Sequence, residues 1–320
     1  MSLYRNVVWY CKGKGEYTKK GYEAAAKHFN AGDLNVSAAG KNYMITGANS
    51  GIGKAAAIDI ANKGGTVHMV CRNEERGEQA KNEIMEKTGS SNVHLHLLDM
   101  SNTRAVWKFA KDFESAGNSL NVLVNNAGCM VNSRGLTDDG IEKNFATNVL
   151  GTYALTIGLM PILNKADKPR VVTVSSGGML VQQLNIDDIQ FEKMKPFDGT
   201  MAYAQNKRQQ VVMMEELTKK YPKVHFSSMH PGWADTPAVK LSMPSFYESM
   251  KGQLKTAEQG ADTITWLSLS DAALALKGGE FFQDRKPVPK HLPLAWTKSK
   301  AGESEKLIEI LDSFLEQFKS

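Results

Sequence analysis

The chain has 320 residues, of which 42% are hydrophobic and 23% are charged, so its composition is that of a globular protein and excludes a disordered one. Its 39 basic and 34 acidic residues leave a net charge of only +5, and no basic run is long enough to follow a nucleic-acid backbone. Three cysteines, Cys11, Cys71 and Cys129, lack the spacing of a disulfide framework or a zinc site. The sequence therefore predicts no nucleic-acid partner, no bound metal and a reducing compartment.

The N-terminal forty residues combine aromatic side chains with lysines, as in Trp9, Tyr10, Lys12 and Lys14. Such an arm could rest on a membrane surface, or it could cover apolar surface of its own domain or of a partner subunit. No stretch reaches the roughly 18 to 20 apolar residues that a membrane-spanning helix needs, and the start is too short and polar for a secretory signal. We therefore expect a cytoplasmic protein, with peripheral membrane association left open.

From residue 41 the chain alternates short apolar runs with amphipathic stretches, which predicts an α/β fold with a doubly wound parallel sheet of the Rossmann-like type. Strands are expected at residues 43–45, 67–70, 93–98, 120–124, 171–174, 224–228 and 280–282. Helices are expected at residues 52–62, 137–163, 204–218 and 303–318, and from Thr256, which forms a capping-box pattern with Gln259. These elements predict one main domain at residues 41–285, an N-terminal arm at residues 1–40 and a C-terminal extension at residues 286–320.

A glycine-rich turn follows the first expected strand, with the sequence Thr46-Gly47-Ala48-Asn49-Ser50-Gly51-Ile52-Gly53. Backbone N–H groups in such a turn, and the positive end of the next helix, attract a pyrophosphate. Gly47 permits the tight turn, and Gly51 and Gly53 permit close approach of backbone to phosphate and of helix to sheet. A glycine triplet alone is a weak signal, but its place between a strand and a helix predicts a dinucleotide site.

The second expected strand ends in Cys71-Arg72-Asn73 and carries no acidic residue there. A carboxylate at this place would accept the ribose 2′-hydroxyl of NAD, whereas an arginine pairs with the 2′-phosphate of NADP. Arg72 therefore favours NADP(H) as the cofactor. The alternative is that Arg72 is an ordinary solvated surface residue.

The pattern Tyr-x-x-x-Lys occurs three times, beginning at Tyr10, Tyr203 and Tyr247, and position must decide between them. Only Tyr203 opens a helical pattern after an apolar strand that ends in serine. Lys207 follows Tyr203 by one helical turn and can stabilise its phenolate, because an unperturbed tyrosine is a poor acid at neutral pH. Ser176 can donate a hydrogen bond to a carbonyl oxygen as negative charge develops. The pattern predicts a nicotinamide-dependent carbonyl reductase.

The order of the glycine turn, Asn125-Asn126-Ala127-Gly128, the serine pair and Tyr203 to Lys207 resembles the short-chain dehydrogenase/reductase family over residues 41–282. The resemblance implies a catalytic tetrad of Asn148, Ser176, Tyr203 and Lys207, in which Asn148 would hold a water in a proton relay that reaches Lys207. It also assigns Asp99 to the adenine, Asn126 to Gly128 to a wall of the cofactor site, and Pro231, Gly232 and Thr236 to the nicotinamide end. The full set of expected cofactor-binding residues is Gly47, Asn49, Ser50, Gly51, Ile52, Gly53, Arg72, Asp99, Asn126, Ala127, Gly128, Tyr203, Lys207, Pro231, Gly232 and Thr236.

Tyr203 follows Ser176 by 27 positions, which marks an insertion before the helix and leaves Ser175 as a rival for the catalytic serine. The insertion and Cys71-Arg72-Asn73 resemble the retinol-dehydrogenase-like branch of the family. That branch implies NADP(H) and a hydrophobic carbonyl or alcohol substrate, whether lipid-like, retinoid, steroid or aldehyde. A non-catalytic NADP-binding sensor or scaffold is the alternative function.

Residues 233–255 are expected to form a substrate loop whose large apolar side chains either make a mobile lid or simply pack the loop down. These side chains are Trp233, Met243, Phe246, Tyr247 and Met250. The family resemblance also implies a homo-oligomer formed through the long helices, although the N-terminal arm and the C-terminal helix could block those surfaces.

Overall fold

A computed structural model describes residues 2–319 and contains one eight-stranded sheet. The strands are β1 Asn42–Thr46, β2 Thr66–Cys71, β3 Val93–Leu97, β4 Val122–Asn125, β5 Arg170–Val174, β6 His225–Met229, β7 Phe281–Gln283 and β8 Lys286–Pro287. Their order across the sheet is β3-β2-β1-β4-β5-β6-β7-β8, and every pairing is parallel except that of β7 with β8. The predicted doubly wound parallel sheet is confirmed.

Helices cover both faces of this sheet and also form the two terminal segments. They are α1 Ser2–Glu16, α2 Lys19–Ala26, α3 Gly51–Asn62, α4 Glu74–Thr88, α5 Thr103–Ser115, α6 Lys143–Phe145, α7 Gly151–Leu163, α8 Gly199–Lys220, α9 Pro237–Ser242, α10 Pro244–Met250, α11 Ala257–Leu269, α12 Asp271–Leu274 and α13 Glu303–Glu316. One face of the sheet packs against α3, α4 and α11, and the other packs against α5, α7 and α8, with α13 lying on α8 and on residues 146–150. The central strands β1, β4 and β5 are largely apolar because both of their faces are buried.

Side-chain caps start several of these helices where the sequence changes from loop to amphipathic pattern. Asn73, Asn102 and Asp198 each accept a hydrogen bond from a backbone N–H in the first turn of α4, α5 and α8. The capping box predicted at Thr256 and Gln259 is present at the start of α11, with both reciprocal hydrogen bonds formed. These caps fix where the helices begin relative to the strands.

The long helix predicted over residues 137–163 is wrong at its start. Residues 137–142 form a turn in which Gly140 has a φ of +76° and Leu136 pairs with Glu142 in an isolated bridge. The helical stretch begins only at Lys143, because the Glu142 carboxylate accepts a hydrogen bond from Phe145 N and acts as the N-cap. A π-helical turn, Ala146–Leu150, then separates α6 from α7. Asn148 lies in this turn, and π-turns inside helices often mark functional sites.

The stretch Lys143–Leu163 corrects the expectation that no segment is long and apolar enough to span a membrane. It has 21 residues and meets those criteria of length and composition, but 83% of its apolar window is buried inside the fold. It packs between the sheet and neighbouring helices such as α5. Its apolar character is therefore explained by its place in the core.

The N-terminal helices and the C-terminal helix both pack on the main body. In α1, Val8 and Trp9 contact apolar residues near the 3-10 turn Gly177–Val181. In α13, Leu307, Leu311 and Leu315 are fully buried, as the predicted apolar face requires. The inner face of α1 thus matches the interpretation of the arm as a cover for its own domain.

Candidate active site

A cleft of about 920 Å³ opens at the carboxyl ends of the parallel strands, where doubly wound folds bind ligands. It is lined by the glycine turn, by residues that follow β2 to β6 and by the region of α9 and α10. With the exception of Asn148, every predicted site residue lines this cleft. The lining residues among those predictions are Gly47, Asn49, Ser50, Gly51, Ile52, Gly53, Arg72, Asp99, Asn126, Ala127, Gly128, Ser176, Tyr203, Lys207, Pro231, Gly232 and Thr236.

The glycine turn has the geometry that its sequence requires. Gly47 and Gly51 have φ angles of +67° and +54°, which side chains with a Cβ rarely adopt. A Cβ added at Gly53 would lie 2.4 Å from the Asn126 side-chain nitrogen, which itself donates to Thr46 O at 2.8 Å. Asn126 therefore fixes the turn, and any residue other than glycine at position 53 would displace it.

The start of α3 fits a bound pyrophosphate. Ser50 occupies the N-cap position, but its side chain makes no capping hydrogen bond to the helix. The first N–H groups of a helix lack intrahelical acceptors, and together with the helix dipole they attract an anion. The turn and α3 could therefore hold the phosphates of a nicotinamide dinucleotide.

Arg72 and Asp99 lie together at the end of the cleft formed by β2 and β3. The Arg72 guanidinium is 3.9 Å from an Asp99 carboxylate oxygen, and its side chain is 79% exposed. Asp99 also accepts hydrogen bonds from the backbone N–H and the hydroxyl of Ser101, both at 2.8 Å. An exposed pair of this kind is weak, so Arg72 can turn towards another anion at little cost.

The two serines after β5 point in different directions. Ser175 is buried and its hydroxyl donates to the main-chain oxygen of Lys207 at 2.8 Å. Ser176 accepts a hydrogen bond from Gly178 N and lies beside the Tyr203 phenol. Of the two hydroxyls, only that of Ser176 is placed beside the phenol, whereas that of Ser175 is engaged by the backbone of α8.

Tyr203 and Lys207 share one face of α8, and the Lys207 ammonium lies 5.3 Å from the centroid of the Tyr203 ring. Burial raises the pKa of Tyr203 to about 12, with a further contribution from Cys129, while a hydrogen bond with Ser176 acts in the opposite direction. Burial lowers the pKa of Lys207 to about 8. In the protein alone, burial therefore outweighs the other influences on the pKa of Tyr203, and the stabilisation of its phenolate by Lys207 stays a prediction.

Asn148 lies behind the cleft wall rather than in the cleft. Its side chain exchanges hydrogen bonds of 2.8 Å with the backbone N–H and carbonyl of Cys129. Its main-chain oxygen accepts a hydrogen bond from the side-chain nitrogen of Gln210 at 2.6 Å. The side-chain oxygen of Gln210 in turn accepts from Lys207 Nζ at 3.0 Å. Gln210 thus connects Asn148 with Lys207.

Sequence reasoning missed Gln210 and His230. Gln210 follows Lys207 by three positions on α8 and so shares its face, a spacing that could have revealed it. His230 is buried, and its Nδ1 accepts a hydrogen bond from Gly177 N at 2.8 Å. Burial, followed by the charges of nearby lysines, lowers the pKa of His230 well below its usual value, so the ring stays neutral and keeps Nδ1 as an acceptor. This bond fixes the turn directly after Ser176.

The two interpretations of the substrate loop, a lid over the cleft and a loop packed on the body, each apply to some of its residues. Tyr247 and Met250 are buried in a cluster with Tyr17, so they pack α10 onto the body. Met243 lines the cleft, as the lid interpretation expects, whereas Trp233 and Phe246 line the cleft and also pack in this cluster. Leu241 also lines the cleft and is 83% exposed, although no sequence pattern indicates it.

Comparison with known proteins shows the family. The chain is 57% identical over 319 residues to dehydrogenase/reductase SDR family member 12 of Bos taurus and of Homo sapiens, with 100% of each chain covered. The chain belongs to the short-chain dehydrogenase/reductase family. The family model described as short chain dehydrogenase matches residues 41–186. Retinol dehydrogenase 11 of Mus musculus is 34% identical, with 77% of this chain and 79% of that protein covered.

Solved structures agree with the family and with the fold. An uncharacterised protein from Mycobacterium paratuberculosis has a TM-score of 0.70 and 28% identity, over 90% of this chain and 97% of that one. A short-chain dehydrogenase from Shigella flexneri complexed with NADP has a TM-score of 0.62 and 25% identity, with 79% of this chain and 99% of that chain covered. As a member of the short-chain dehydrogenase/reductase family, this chain is an oxidoreductase that acts on alcohol or carbonyl groups of a small molecule with a nicotinamide cofactor.

Proposed function

We propose that this chain is an NADP(H)-dependent reductase of hydrophobic carbonyl compounds. The observation that carries the proposal is one cleft in which Ser176, Tyr203 and Lys207 lie between the glycine turn and a set of apolar side chains. The polar groups suit a carbonyl oxygen, and the apolar ones suit the remainder of a bulky substrate. We name Asn148, Ser176, Tyr203 and Lys207 as the catalytic set.

A bound nicotinamide dinucleotide would supply the hydride that reduces the carbonyl carbon. Ser176 orients the carbonyl oxygen by a hydrogen bond, and the Tyr203 phenol gives that oxygen a proton as negative charge develops on it. The raised pKa of Tyr203, about 12, keeps the phenol protonated at neutral pH, which suits a proton donor. Lys207 then stabilises the phenolate that remains.

NADP(H) is preferred to NAD(H) in this proposal because Arg72 follows β2 and no carboxylate occupies that position. The exposed guanidinium can pair with a 2′-phosphate, and its neighbour Asp99, which we assign to the adenine, lines the same cleft. The similar short-chain dehydrogenase from Shigella flexneri was solved in complex with NADP, which supports the same choice.

The substrate end is the part of the cleft lined by Met130, Val131, Leu136 and the α9–α10 region. Leu136 and Leu241 are 47% and 83% exposed, so their apolar surface is free to contact a substrate. This apolar wall lies next to the polar groups of Ser176, Tyr203 and Lys207. The arrangement favours a substrate with a carbonyl group on a large hydrophobic molecule, such as a retinoid, steroid or fatty aldehyde.

The proposal is tested by following NADPH consumption with a panel of retinoid, steroid, fatty-aldehyde and quinone carbonyl compounds. We expect turnover with at least one long hydrophobic aldehyde, faster than with a short-chain aldehyde of the same reactivity. Binding of NADPH with no turnover of any member would contradict the reductase and favour the NADP-binding sensor or scaffold.

A pair of serine variants tests the catalytic set more sharply. Ser176→Ala should lower turnover by roughly a hundredfold or more, because it removes a donor to the developing oxyanion. Ser175→Ala removes only a hydrogen bond to the backbone of α8, so it should lower the melting temperature more than it lowers turnover. The reverse pattern would assign the catalytic role to Ser175.

A further inference from the structure

The outer face of α1 is apolar, although it faces solvent. Leu3, Val7 and Tyr10 follow one another at spacings of four and three residues and are 76%, 53% and 46% exposed. Residues at these spacings form one stripe on a helix. The opposite face, with Val8 and Trp9, already packs on the body of the protein. The packing of α1 on the body therefore does not require the exposed stripe.

A second apolar segment lies beside this stripe. Leu294 and Trp296 are 75% and 71% exposed, while Leu292 and Ala295 before and between them are buried. The Tyr4 hydroxyl donates to Pro293 O at 3.0 Å, which ties α1 to this segment. The Arg5 guanidinium also donates to Ala295 O, at 2.6 Å. The exposed side chains of both segments together form one patch, which we call the terminal patch: Leu3, Tyr4, Val7, Tyr10, Leu294 and Trp296.

The backbone at Leu294 and Trp296 indicates that their exposure has a use. Their φ angles are +54° and +53°, a left-handed conformation that bulky residues rarely adopt because it carries a steric cost. Glycine or asparagine would occupy the same conformation with less strain. The chain instead places a leucine and a tryptophan there and exposes both to solvent.

The charge around the terminal patch selects its occupant. Residues 2–15 contain Arg5, Lys12 and Lys14 and no acidic residue. Residues 286–302 contain four lysines, at positions 286, 290, 298 and 300, and no acidic residue either. Lys12, Lys290 and Lys300 form salt bridges with Glu16, Glu215 and Glu303, respectively. Among the residues that the structure describes, Lys14, Lys286 and Lys298 are in no salt bridge and keep their charge available. Exposed aromatic and aliphatic side chains among basic groups match the interface of a bilayer with anionic headgroups, where tryptophan is favoured.

We propose that the terminal patch docks the protein on anionic membranes. Leu3, Val7, Leu294 and Trp296 enter the headgroup region. The lysines that are in no salt bridge, which are Lys14, Lys286 and Lys298, meet anionic lipid. The Tyr10 ring lies 6.0 Å from the ring of Trp233, which lines the cleft, so the docked surface borders the cleft. This docking does not depend on the reductase activity, and its test reads binding alone.

The test is co-sedimentation of the full chain with phosphatidylcholine vesicles that either contain or lack phosphatidylserine. We expect binding to the vesicles with phosphatidylserine and a decrease as salt is added. The double variant Leu294→Asn/Trp296→Asn should reduce the bound fraction at least about tenfold, since it removes two of the three most exposed apolar side chains of the patch. Because asparagine tolerates a positive φ, its melting temperature should stay level or rise.

Two further variants keep the test decisive. Val7→Gln should also weaken membrane binding, because it removes an exposed apolar side chain of α1. If the double variant unfolds at a lower temperature than the wild type, the binding of Val7→Gln decides the test. Leu97→Thr changes a half-exposed leucine on the edge strand β3, at the opposite end of the sheet, and should bind as the wild type does. No binding by the wild type, or full binding by the double and Val7→Gln variants, would overturn the proposal. A concentration-dependent dimer that the double variant abolishes would overturn it as well, because the patch would then be a protein interface.

Discussion

The Gln210 side chain accepts a hydrogen bond from the Lys207 ammonium at 3.0 Å, and the same amide donates to Asn148 O at 2.6 Å. Lys207 also donates to Val174 O at 2.8 Å, so the ammonium is held by the end of β5 and by its own helix. These bonds orient Lys207 beneath the Tyr203 ring. They make Gln210 a positioning residue for the catalytic set that we propose.

Gln210→Leu should lower kcat by roughly tenfold to a hundredfold, because Lys207 loses an oriented acceptor and the Asn148 carbonyl loses its donor. The affinity for NADPH, measured by calorimetry, should change little. Gln210→Glu should shift the alkaline fall of the rate to higher pH, since a nearby carboxylate raises the pKa of Lys207.

A matched control for these variants is Gln205→Leu on the same helix. Gln205 donates to Gln182 and Gln183 instead of to the catalytic set, so its loss should affect stability without moving the pH profile. If Gln210→Leu and Gln205→Leu change kcat equally and leave the profile in place, Gln210 has only a structural role.

The rate of carbonyl reduction should fall above about pH 8. Burial lowers the pKa of Lys207 to about 8, so the ammonium is charged below that pH and becomes neutral as the pH rises through it. A neutral amine stabilises a phenolate poorly, whereas the phenol itself stays protonated because its pKa is about 12. The measurement is kcat/KM from about pH 6 to 10 at saturating NADPH. A rate that stays constant through pH 10 would exclude this role for the Lys207 charge.

Arg72→Ala should weaken NADPH binding by roughly tenfold to a hundredfold and leave NADH binding almost unchanged, because only NADPH carries the 2′-phosphate. Competition titrations with the two reduced cofactors measure both affinities. Arg76→Ala, in the first turn of α4, provides a nearby arginine as control. Equal losses for both cofactors would mean that Arg72 acts on the fold or on a phosphate common to the two.

The protein should lose stability in mild acid because of a histidine cluster on β2 and β3. His68 Nδ1 lies 3.0 Å from His96 Nε2, and burial, then the charges of His96 and His94, lower the pKa of His68 to about 4. The folded state therefore binds protons less readily than the unfolded state does. The contribution of His68 to the free energy of unfolding is fully present above about pH 6.5, and it is lost as the pH falls from there towards 4.

Chemical unfolding at a series of pH values measures this loss. His68→Phe should unfold with a weaker dependence on pH between about 6.5 and 4, and His28→Gln, which changes an exposed histidine between α2 and β1, should behave as the wild type. The same acid dependence in wild type and His68→Phe would show that another group controls it.

The sequence predicts the sheet well because each central strand is a short apolar run with both faces buried. The place of Arg72 and Ser176 in the cleft could be predicted because each comes directly after a recognisable strand, and that of Tyr203 and Lys207 because they share one face of a predicted helix. The start of the helix before Asn148 could not, since it depends on the Glu142 cap and on the left-handed Gly140.

Other features depend on contacts between distant segments. The role of His230 requires knowing that its ring meets Gly177, and the terminal patch requires knowing that α1 lies beside residues 293–296. The apolar pattern of α1 predicts a buried face, but it does not reveal that Leu3, Val7 and Tyr10 remain outside. Such pairings arise from tertiary packing, which a single sequence does not encode locally.

The most direct test of the proposed chemistry is to compare Tyr203→Phe with the wild type in NADPH-dependent reduction of a hydrophobic aldehyde. Phenylalanine keeps the ring beside Lys207 and removes only the hydroxyl, so calorimetry should give a nearly unchanged NADPH affinity. We predict that turnover falls by roughly a hundredfold or more, because the carbonyl oxygen loses its proton donor. Turnover equal to that of the wild type would contradict the proposed role of Tyr203.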